Sequence, residues 1–394
     1  MFFKPKSTPT YISGLILFQN SRRNLRIISS HCSGKYDEEI DRNQEIRNTN
    51  ENQQDHLYLY KSKGQHLLTN TRILDAIVRR SNVTTTDTVL EIGPGTGNLT
   101  VKLLEAAEKV VAVEIDRRMV DVLHKRVADI GLQDRLHVIC KDAMKAEFPQ
   151  FDLVVANIPY GISSPLIAKL VYGGNPFRSA TLLLQKEFAR RLLAKPGDSE
   201  FNRLAVNVKL VADVEFVMDV SKREFLPCPK VDSSVVIIRP KNEIPNVNLN
   251  EWCAFTRTCF SKKNKTLGAT FKQKKKVIQL LKLAETRSSK RESALIGHNY
   301  EFDEYYDGNI EEDNNGEDNF ASSCSDLEMN LFKDKIVGVL KKGGFEDKRP
   351  SKLSNEELLH LLSLFNQAGI YFHDHVKPND SNNADDDFAA AYVS

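Results

Sequence analysis

The sequence is poor in the features that anchor small secreted or membrane-bound folds. Its 394 residues hold only six cysteines, Cys32, Cys140, Cys228, Cys253, Cys259 and Cys324. No two form a Cys-x-x-Cys pair and their spacing has no period, which argues against a zinc site or a disulfide framework and for a reducing compartment. Long apolar runs are missing as well. The longest near the N-terminus, Tyr11 to Phe18, falls far short of the ~20 residues that cross a bilayer, so no membrane partner is expected. Charge of one sign is absent in two places: no acidic residue precedes Asp37, and no Lys or Arg occurs from Glu292 to Glu328. That second segment holds twelve of the 53 acidic residues, leaving 55 basic against 41 acidic in the rest of the chain. The formal charge of +2 therefore conceals a basic body, compatible with a polyanionic partner.

Before Asp37 stand Lys4, Lys6, Arg22, Arg23, Arg26 and Lys35, interspersed with serine and threonine. A basic, hydroxyl-rich, acid-free start is the composition of an organelle transit peptide, and its arginines favour mitochondria, so residues 1–36 are read that way. The competing reading is a basic arm that binds RNA. Residues 37–57 are polar and read as a linker. From Asp87 onward, short apolar segments alternate with amphipathic ones. Thr88 to Ile92, Lys109 to Ile115, Leu136 to Cys140, Asp152 to Ala156 and Ala180 to Leu184 are strand candidates. Arg117 to Ile130 places Met119, Val120, Leu123 and Val127 at helical spacing. The alternation predicts an α/β fold with a parallel, doubly wound sheet covered on both faces. The β-branched segment Val231 to Arg239 predicts an edge hairpin. Past Pro240 the chain turns helical and basic, which divides it into a domain over 58–240 and a small helical domain over 241–372. Residues 292–328 are too polar to build a core and read as a disordered insertion, and 373–394 read as a disordered tail. Helical patterning resumes over Leu331 to Leu340 and Asn355 to Gln367.

Glu91-Ile-Gly-Pro-Gly-Thr-Gly-Asn98 follows a strand and opens a helix. Its glycines allow a tight turn and close backbone approach, and a helix N-terminus offers free N–H groups to an anion. It is not a dinucleotide fingerprint, because Asn98 stands where the third glycine is needed. Glu114 ends the second strand, at the place where a carboxylate can accept two hydrogen bonds from a ribose diol. Asp142 ends the third strand and could accept a bond from an adenine amino group. Asn157-Ile-Pro-Tyr160 follows the fourth. An exocyclic amine on an aromatic base is a poor nucleophile, because its lone pair is delocalised into the ring. Carbonyl acceptors from Asn157 and the Ile158–Pro159 backbone would favour a pyramidal nitrogen. Pro159 stiffens the turn and Tyr160 offers a face on which a base can stack.

Further motifs are Gly64-Gln-His-Leu-Leu68, Gln185-Lys-Glu-Phe-Ala189, Ala194-Lys-Pro-Gly197, Phe225-Leu-Pro-Cys-Pro-Lys-Val231 and Phe260-Ser-Lys-Lys-Asn-Lys-Thr-Leu267. With them the chain resembles the small-subunit rRNA adenine dimethyltransferases, over about residues 60–290 and again over 331–372. The resemblance implies a class I methyltransferase fold, a Rossmann-like doubly wound sheet with a small C-terminal helical domain. It implies S-adenosyl-L-methionine as cofactor, no metal, and small-subunit rRNA or the pre-ribosomal small subunit as the partner of a monomeric enzyme. The family's reaction places two methyl groups on N6 of each of two adjacent adenosines in a hairpin loop near the rRNA 3′ end. Carried over by position, Gln65, His66 and Leu68 contact the cofactor at the mouth of the site. Gly93 lies against its methionine portion, Gly95 also binds the cofactor, Glu114 holds the ribose and Asp142 reads the adenine. Asn157 stands beside methyl donor and target amine, with Pro159 and Tyr160 completing the tetrad and Phe225 forming the other wall for the base. The departures are Lys63 and Lys141, where an apolar residue and Gly are usual, and Phe201, which replaces a frequent Tyr.

Arg257, Lys262, Lys263 and Lys265, followed by Lys272, Lys274, Lys275 and Lys276, fit phosphate contacts to that RNA. Two other readings stand beside the enzyme. One is a non-catalytic ribosome-assembly or transcription factor that keeps the fold and the nucleic-acid surface. The other is a methyltransferase of DNA or of a protein amide, since Asn-x-Pro-Tyr suits other planar nitrogens. The segment Phe260 to Leu267 resembles the eukaryotic nucleolar branch, so the nucleolus is the alternative to mitochondria. Residues 1–36 fused to a fluorescent reporter are expected to carry it into mitochondria; a diffuse or nucleolar signal would remove that assignment.

Overall fold

The computed structural model describes residues 65–296 and 325–373, without the side chains of 288–296. The expected transit peptide and linker, most of the acidic segment 292–328 and nearly all of the tail lie outside the described residues; the two ends of the acidic segment are helical. The elements run β1 (Leu67–Leu68), α1 (Thr71–Arg80), β2 (Thr88–Ile92), α2 (Asn98–Ala106), β3 (Lys109–Val113), α3 (Arg117–Ala128), β4 (Leu136–Ile139) and β5 (Leu153–Asn157). There follow α4 (Ser163–Tyr172), β6 (Ser179–Gln185), α5 (Lys186–Leu193), α6 (Arg203–Val211), β7 (Ala212–Val220), β8 (Phe225–Leu226) and β9 (Ser233–Pro240). The C-terminal helices are α7 (Leu249–Phe260), α8 (Leu267–Phe271), α9 (Lys274–Ile296), α10 (Asp326–Lys342) and α11 (Asn355–Gln367).

Seven strands form one sheet in the order β4-β3-β2-β5-β6-β9-β7, and β1 pairs separately with β8. The five strands from β4 to β6 are parallel, and β9 runs antiparallel to both β6 and β7. This is the expected Rossmann-like α/β fold with a helical C-terminal part. The chain leaves β2 toward β3 on one side and returns to β5 on the other, so a topological switch point lies between β2 and β5. Ligands of open α/β sheets bind at the carboxyl ends of the strands at such a point. The expected edge hairpin is present: β9, within Val231 to Arg239, pairs antiparallel with β7, which forms the edge of the sheet. β7 escapes a period-two reading because its register shifts between Phe216 and Met218, a bulge that breaks the alternation.

Alternation along the strands divides the core. Val89, Val110, Ala112 and Val155 face Leu74, Ile77, Leu103 and Leu123 on one side of the sheet. Leu90, Val111, Val154 and Leu182 face the other side, in a cluster that continues without interruption into Trp252, Phe255, Phe271, Phe365 and Phe372. Polar contacts close the same seam. Thr256 Oγ1 donates to Asn207 Oδ1 at 2.9 Å, and Asn355 Nδ2 donates to the Val206 carbonyl at 3.0 Å. The helical lobe is thus packed on the sheet's own core. Among the described residues, no helix is long and apolar enough to cross a membrane. Trp252, the chain's one tryptophan, sits fully buried in the shared cluster. Its fluorescence and far-UV circular dichroism are therefore expected to report a single urea transition. Phe365→Ala should move both midpoints together and lower stability by about 3–5 kcal/mol. Separate transitions would show that the lobe folds independently.

Candidate active site

The glycine loop joins β2 to α2 at the switch point. Gly93, Gly95 and Gly97 all have positive φ, at 69°, 57° and 85°. All three are also crowded: a Cβ would lie 3.2 Å from Pro159 Cδ at Gly93, 2.8 Å from Leu67 Cδ2 at Gly95 and 2.6 Å from Leu123 Cδ1 at Gly97. Conformation and space thus both require glycine. Arg126 reaches across from α3 to donate to the Thr96 carbonyl and to Asn98 Oδ1, at 3.0 and 2.6 Å, and so fixes the loop's far end.

Glu114, just past β3, closes the loop from the other side. Its Oε2 accepts from the Gly95 N–H at 3.2 Å and its Oε1 from the Asp116 N–H at 2.9 Å. Burial raises its carboxyl above the usual range and the Asp116 charge adds to this, while the backbone donors oppose it. Asp116 itself is held down to about 2, chiefly by Arg118 and also by Gln65. Glu91, in β2, is wholly buried. Burial pushes it up to about 8, opposed by a hydrogen bond from the Thr100 hydroxyl and aided by the Glu114 charge.

Residues 65–70 form a strap across the mouth. Gln65 Nε2 donates to Asp116 Oδ2 at 2.8 Å, and His66 Nδ1 lies 2.7 Å from the Pro227 carbonyl. Asn98 Nδ2 donates to the Leu68 carbonyl at 2.8 Å, and Asn70 Nδ2 to Glu224 Oε2 at 2.7 Å. Leu67 and Leu68 pair with Leu226 and Phe225. Asn157, at the end of β5, donates its Nδ2 to the His66 carbonyl at 3.1 Å. Tyr160 stacks near His66, ring centroids 6.2 Å apart, and its hydroxyl shares a 2.8 Å hydrogen bond with Ser233. Burial raises the Tyr160 hydroxyl above its ordinary value.

Strap, loop and strand ends enclose one cavity of about 900 Å³, counting its open mouth. Of the residues singled out in the sequence, Gln65, His66, Leu68, Gly93, Gly95, Glu114, Asn157, Pro159 and Tyr160 line it. Two do not. Asp142 is turned to its own loop, where its Oδ1 accepts from the Met144 N–H at 2.9 Å. Phe225 is buried in the core cluster with Leu68 and Leu74, behind the strap. Arg257, Lys262 and Lys265 are exposed on the helical lobe and do not line the cavity, and the half-buried Lys263 donates to the Ser199 carbonyl at 2.9 Å. Among the described residues, no group of three or more His, Cys, Asp or Glu side chains is placed to hold a metal. Sequence reasoning missed Glu91, Asn98, Ile115 and Met119, which also line the cavity. Ile115 and Met119 carried a signal, since each lies within five residues of Glu114.

The geometry agrees with what known proteins resemble this chain. Residues 58–294 match the family model described as ribosomal RNA adenine dimethylase. The chain is 60% identical to a "Ribosomal RNA small subunit methyltransferase, mitochondrial" of Arabidopsis thaliana, over 94% of each chain. It is 46% identical to a second Arabidopsis "Ribosomal RNA small subunit methyltransferase", over 79% of this chain and 92% of that one. A solved dimethyladenosine transferase from Plasmodium falciparum superposes with a TM-score of 0.64 at 39% identity, covering 78% of this chain and all of the other. A family match over more than half of its length, and relatives this similar over most of it, show that the chain belongs to the ribosomal RNA adenine dimethylase family.

Proposed function

We propose that this protein is a small-subunit rRNA adenine dimethyltransferase of mitochondria, transferring methyl groups from S-adenosyl-L-methionine to N6 of two adjacent adenosines in the 3′-terminal hairpin loop. Asn157 carries this reading: its Nδ2 is spent on the His66 carbonyl, which leaves Oδ1 as an acceptor at the one cavity that also holds Glu114 and the glycine loop. The donor set fits the cofactor. Glu114 keeps lone pairs beyond those given to Gly95 and Asp116 and would accept from ribose hydroxyls. The loop around Gly93 lets the backbone approach the methionine portion, and Gln65, His66 and Leu68 cover the mouth. Asp142, on the loop beyond β4, would turn outward to read the adenine edge.

When bound, the cofactor supplies an electrophilic methyl group on a sulfonium. Asn157 Oδ1 and the Ile158 carbonyl accept the two hydrogens of the target amine and so hold its lone pair toward the methyl. Tyr160 supplies the stacking face, with its hydroxyl anchored by Ser233. No strong base is required of the chain, because the nitrogen loses its proton to solvent after attack. Its contribution is alignment in a site that excludes bulk water. Adenosines in a loop unstack at low cost, which suits extrusion into the cavity. Arg257, Lys262, Lys263 and Lys265, on the lobe over 241–372, hold the RNA backbone while the domain over 58–240 does the chemistry. The mitochondrial compartment is supported by the acid-free N-terminus and by the compartment in the name of the 60% identical relative.

Asn157→Ala is expected to lower methyl transfer by at least about 10²-fold while RNA affinity stays nearly unchanged. Equal loss of RNA binding would make Asn157 a structural residue. In cells lacking the gene, the paired loop adenosines of mitochondrial small-subunit rRNA are expected to lose methylation. Loss confined to the cytosolic rRNA would keep the enzyme and overturn the compartment.

A further inference from the structure

Asp142, the residue assigned above to the cofactor's adenine, sits half-buried in a loop without regular structure between β4 and β5. The loop is nevertheless built tightly around it. The Met144 N–H donates to Asp142 Oδ1 at 2.9 Å, and the Lys145 and Ala146 N–H groups donate to the Asp142 carbonyl at 3.0 and 2.8 Å. The carbonyls of Met144 and Ala146 then converge on one cation: Lys169 Nζ donates to them at 2.9 and 2.7 Å. The same ammonium lies 4.7 Å from the centroid of the Phe148 ring. Lys169 is half-buried on α4, between Ala168 and Leu170, which are buried in the core.

Each carbonyl that Lys169 binds belongs to a residue whose N–H holds Asp142. Met144 passes the contact on to the carboxylate, and Ala146 passes it to the backbone. Hydrogen bonds from an ammonium are about twice as strong as neutral ones, and the Phe148 ring adds a cation–π contact. Removing the ammonium leaves both carbonyls without the donor that fixes their direction. α4 itself follows the Asn157–Tyr160 tetrad, so the loop is moored to the element that leads away from the catalytic turn.

We propose that Lys169 is a positioning residue for cofactor recognition: by holding the 142–146 turn on α4, it fixes the backbone from which Asp142 reaches the adenine 6-amino group. This role rests on the adenine reading of Asp142 above. A loop that had to be ordered at each encounter would subtract its ordering entropy from the affinity. Lys169 thus acts on one group of the ligand, through Asp142, without touching the ligand.

Titration calorimetry on the full chain tests this with S-adenosylhomocysteine and S-inosylhomocysteine, in which a carbonyl oxygen replaces the 6-amino group. The wild type should prefer the adenosine ligand by at least about tenfold, because a carboxylate that accepts from the amine is left facing an acceptor in the inosine form. Lys169→Met keeps the apolar stem and removes the ammonium. It should weaken S-adenosylhomocysteine by about tenfold and leave the inosine ligand within about twofold, so that the preference collapses. Lys169→Gln keeps an amide donor without the charge and should fall between. Equal weakening of both ligands, or an unchanged preference in either variant, overturns the proposal.

A double-mutant cycle separates positioning from general support of the fold. In an Asp142→Ala background, Lys169→Met should change neither affinity by more than about twofold; full additivity would show that the two residues act independently and overturns the proposal. Asp142→Ala alone distinguishes the two readings. A preference lost there and kept in Lys169→Met overturns the role of Lys169 only. A preference kept in Asp142→Ala overturns the adenine reading, and the role of Lys169 falls with it.

Discussion

The hydrogen bond from Asn157 Nδ2 to the His66 carbonyl sets the geometry on which the rest of the site depends. An amide side chain has a donor end and an acceptor end, and binding one fixes the other. With the donor tied to the strap, Oδ1 is left for the cavity. The same bond locates the strap, which contributes only Leu68 to the core and otherwise owes its position to polar contacts. Those contacts reach α3 through Asp116, α2 through Asn98, and the 224–227 segment through Glu224 and Pro227. Elements expected to hold the cofactor and elements expected to hold the base are therefore registered through six residues. Strain or loss at one contact is felt on both sides of the reaction.

Charge is distributed to match two different ligands. The chain outside 292–328 is strongly basic, yet the cavity is lined by Glu91 and Glu114 and by no lysine or arginine. Phosphates are favoured on the lobe, where Lys262 and Lys265 are exposed, and find no cationic lysine or arginine inside the cavity. A small cation with a nucleoside attached meets the reverse preference. Only an extruded base, which carries no charge, can enter from the RNA side without an electrostatic cost.

Much of this was legible in the residues. The strand Thr88–Ile92 and the helix Asn355–Gln367 stand where their patterns put them, because a short run holding Val89, Leu90 and Ile92 beside a glycine turn and a Ser354–Glu357 capping box are local signals. β7 was not, since its bulge disrupts the only periodicity that would have marked it. In the sequence Asn98 is merely the place where a third glycine is missing; in the fold it binds both the strap and Arg126. The strap's own partners lie up to 161 residues away, beyond the reach of any spacing rule. Glu91 was visible as the first letter of the glycine motif, but burial is a property of the assembled core, and burial is what alters its chemistry.

The helical lobe shows why a shared core matters to the reaction. The segment containing Ala194-Lys-Pro-Gly197 is clamped between the two parts: the Gly197 N–H donates to the Ser351 carbonyl, Lys352 Nζ to the Gly197 carbonyl, and Lys263 Nζ to the Ser199 carbonyl. Lys263 thus ties the basic α7–α8 turn directly to the sheet domain. A lobe on a flexible linker would leave the distance between phosphate contacts and cavity to be fixed at each encounter, at an entropic cost. Packed on Trp252, Phe255 and Phe365 it holds that distance in advance. In the proposed reaction, the span from the cations to Asn157 then decides which loop nucleotides can reach the methyl. Selection of adjacent adenosines becomes a property of the rigid span together with the pocket, since neither a phosphate contact nor a stacking ring distinguishes one position in the loop from the next.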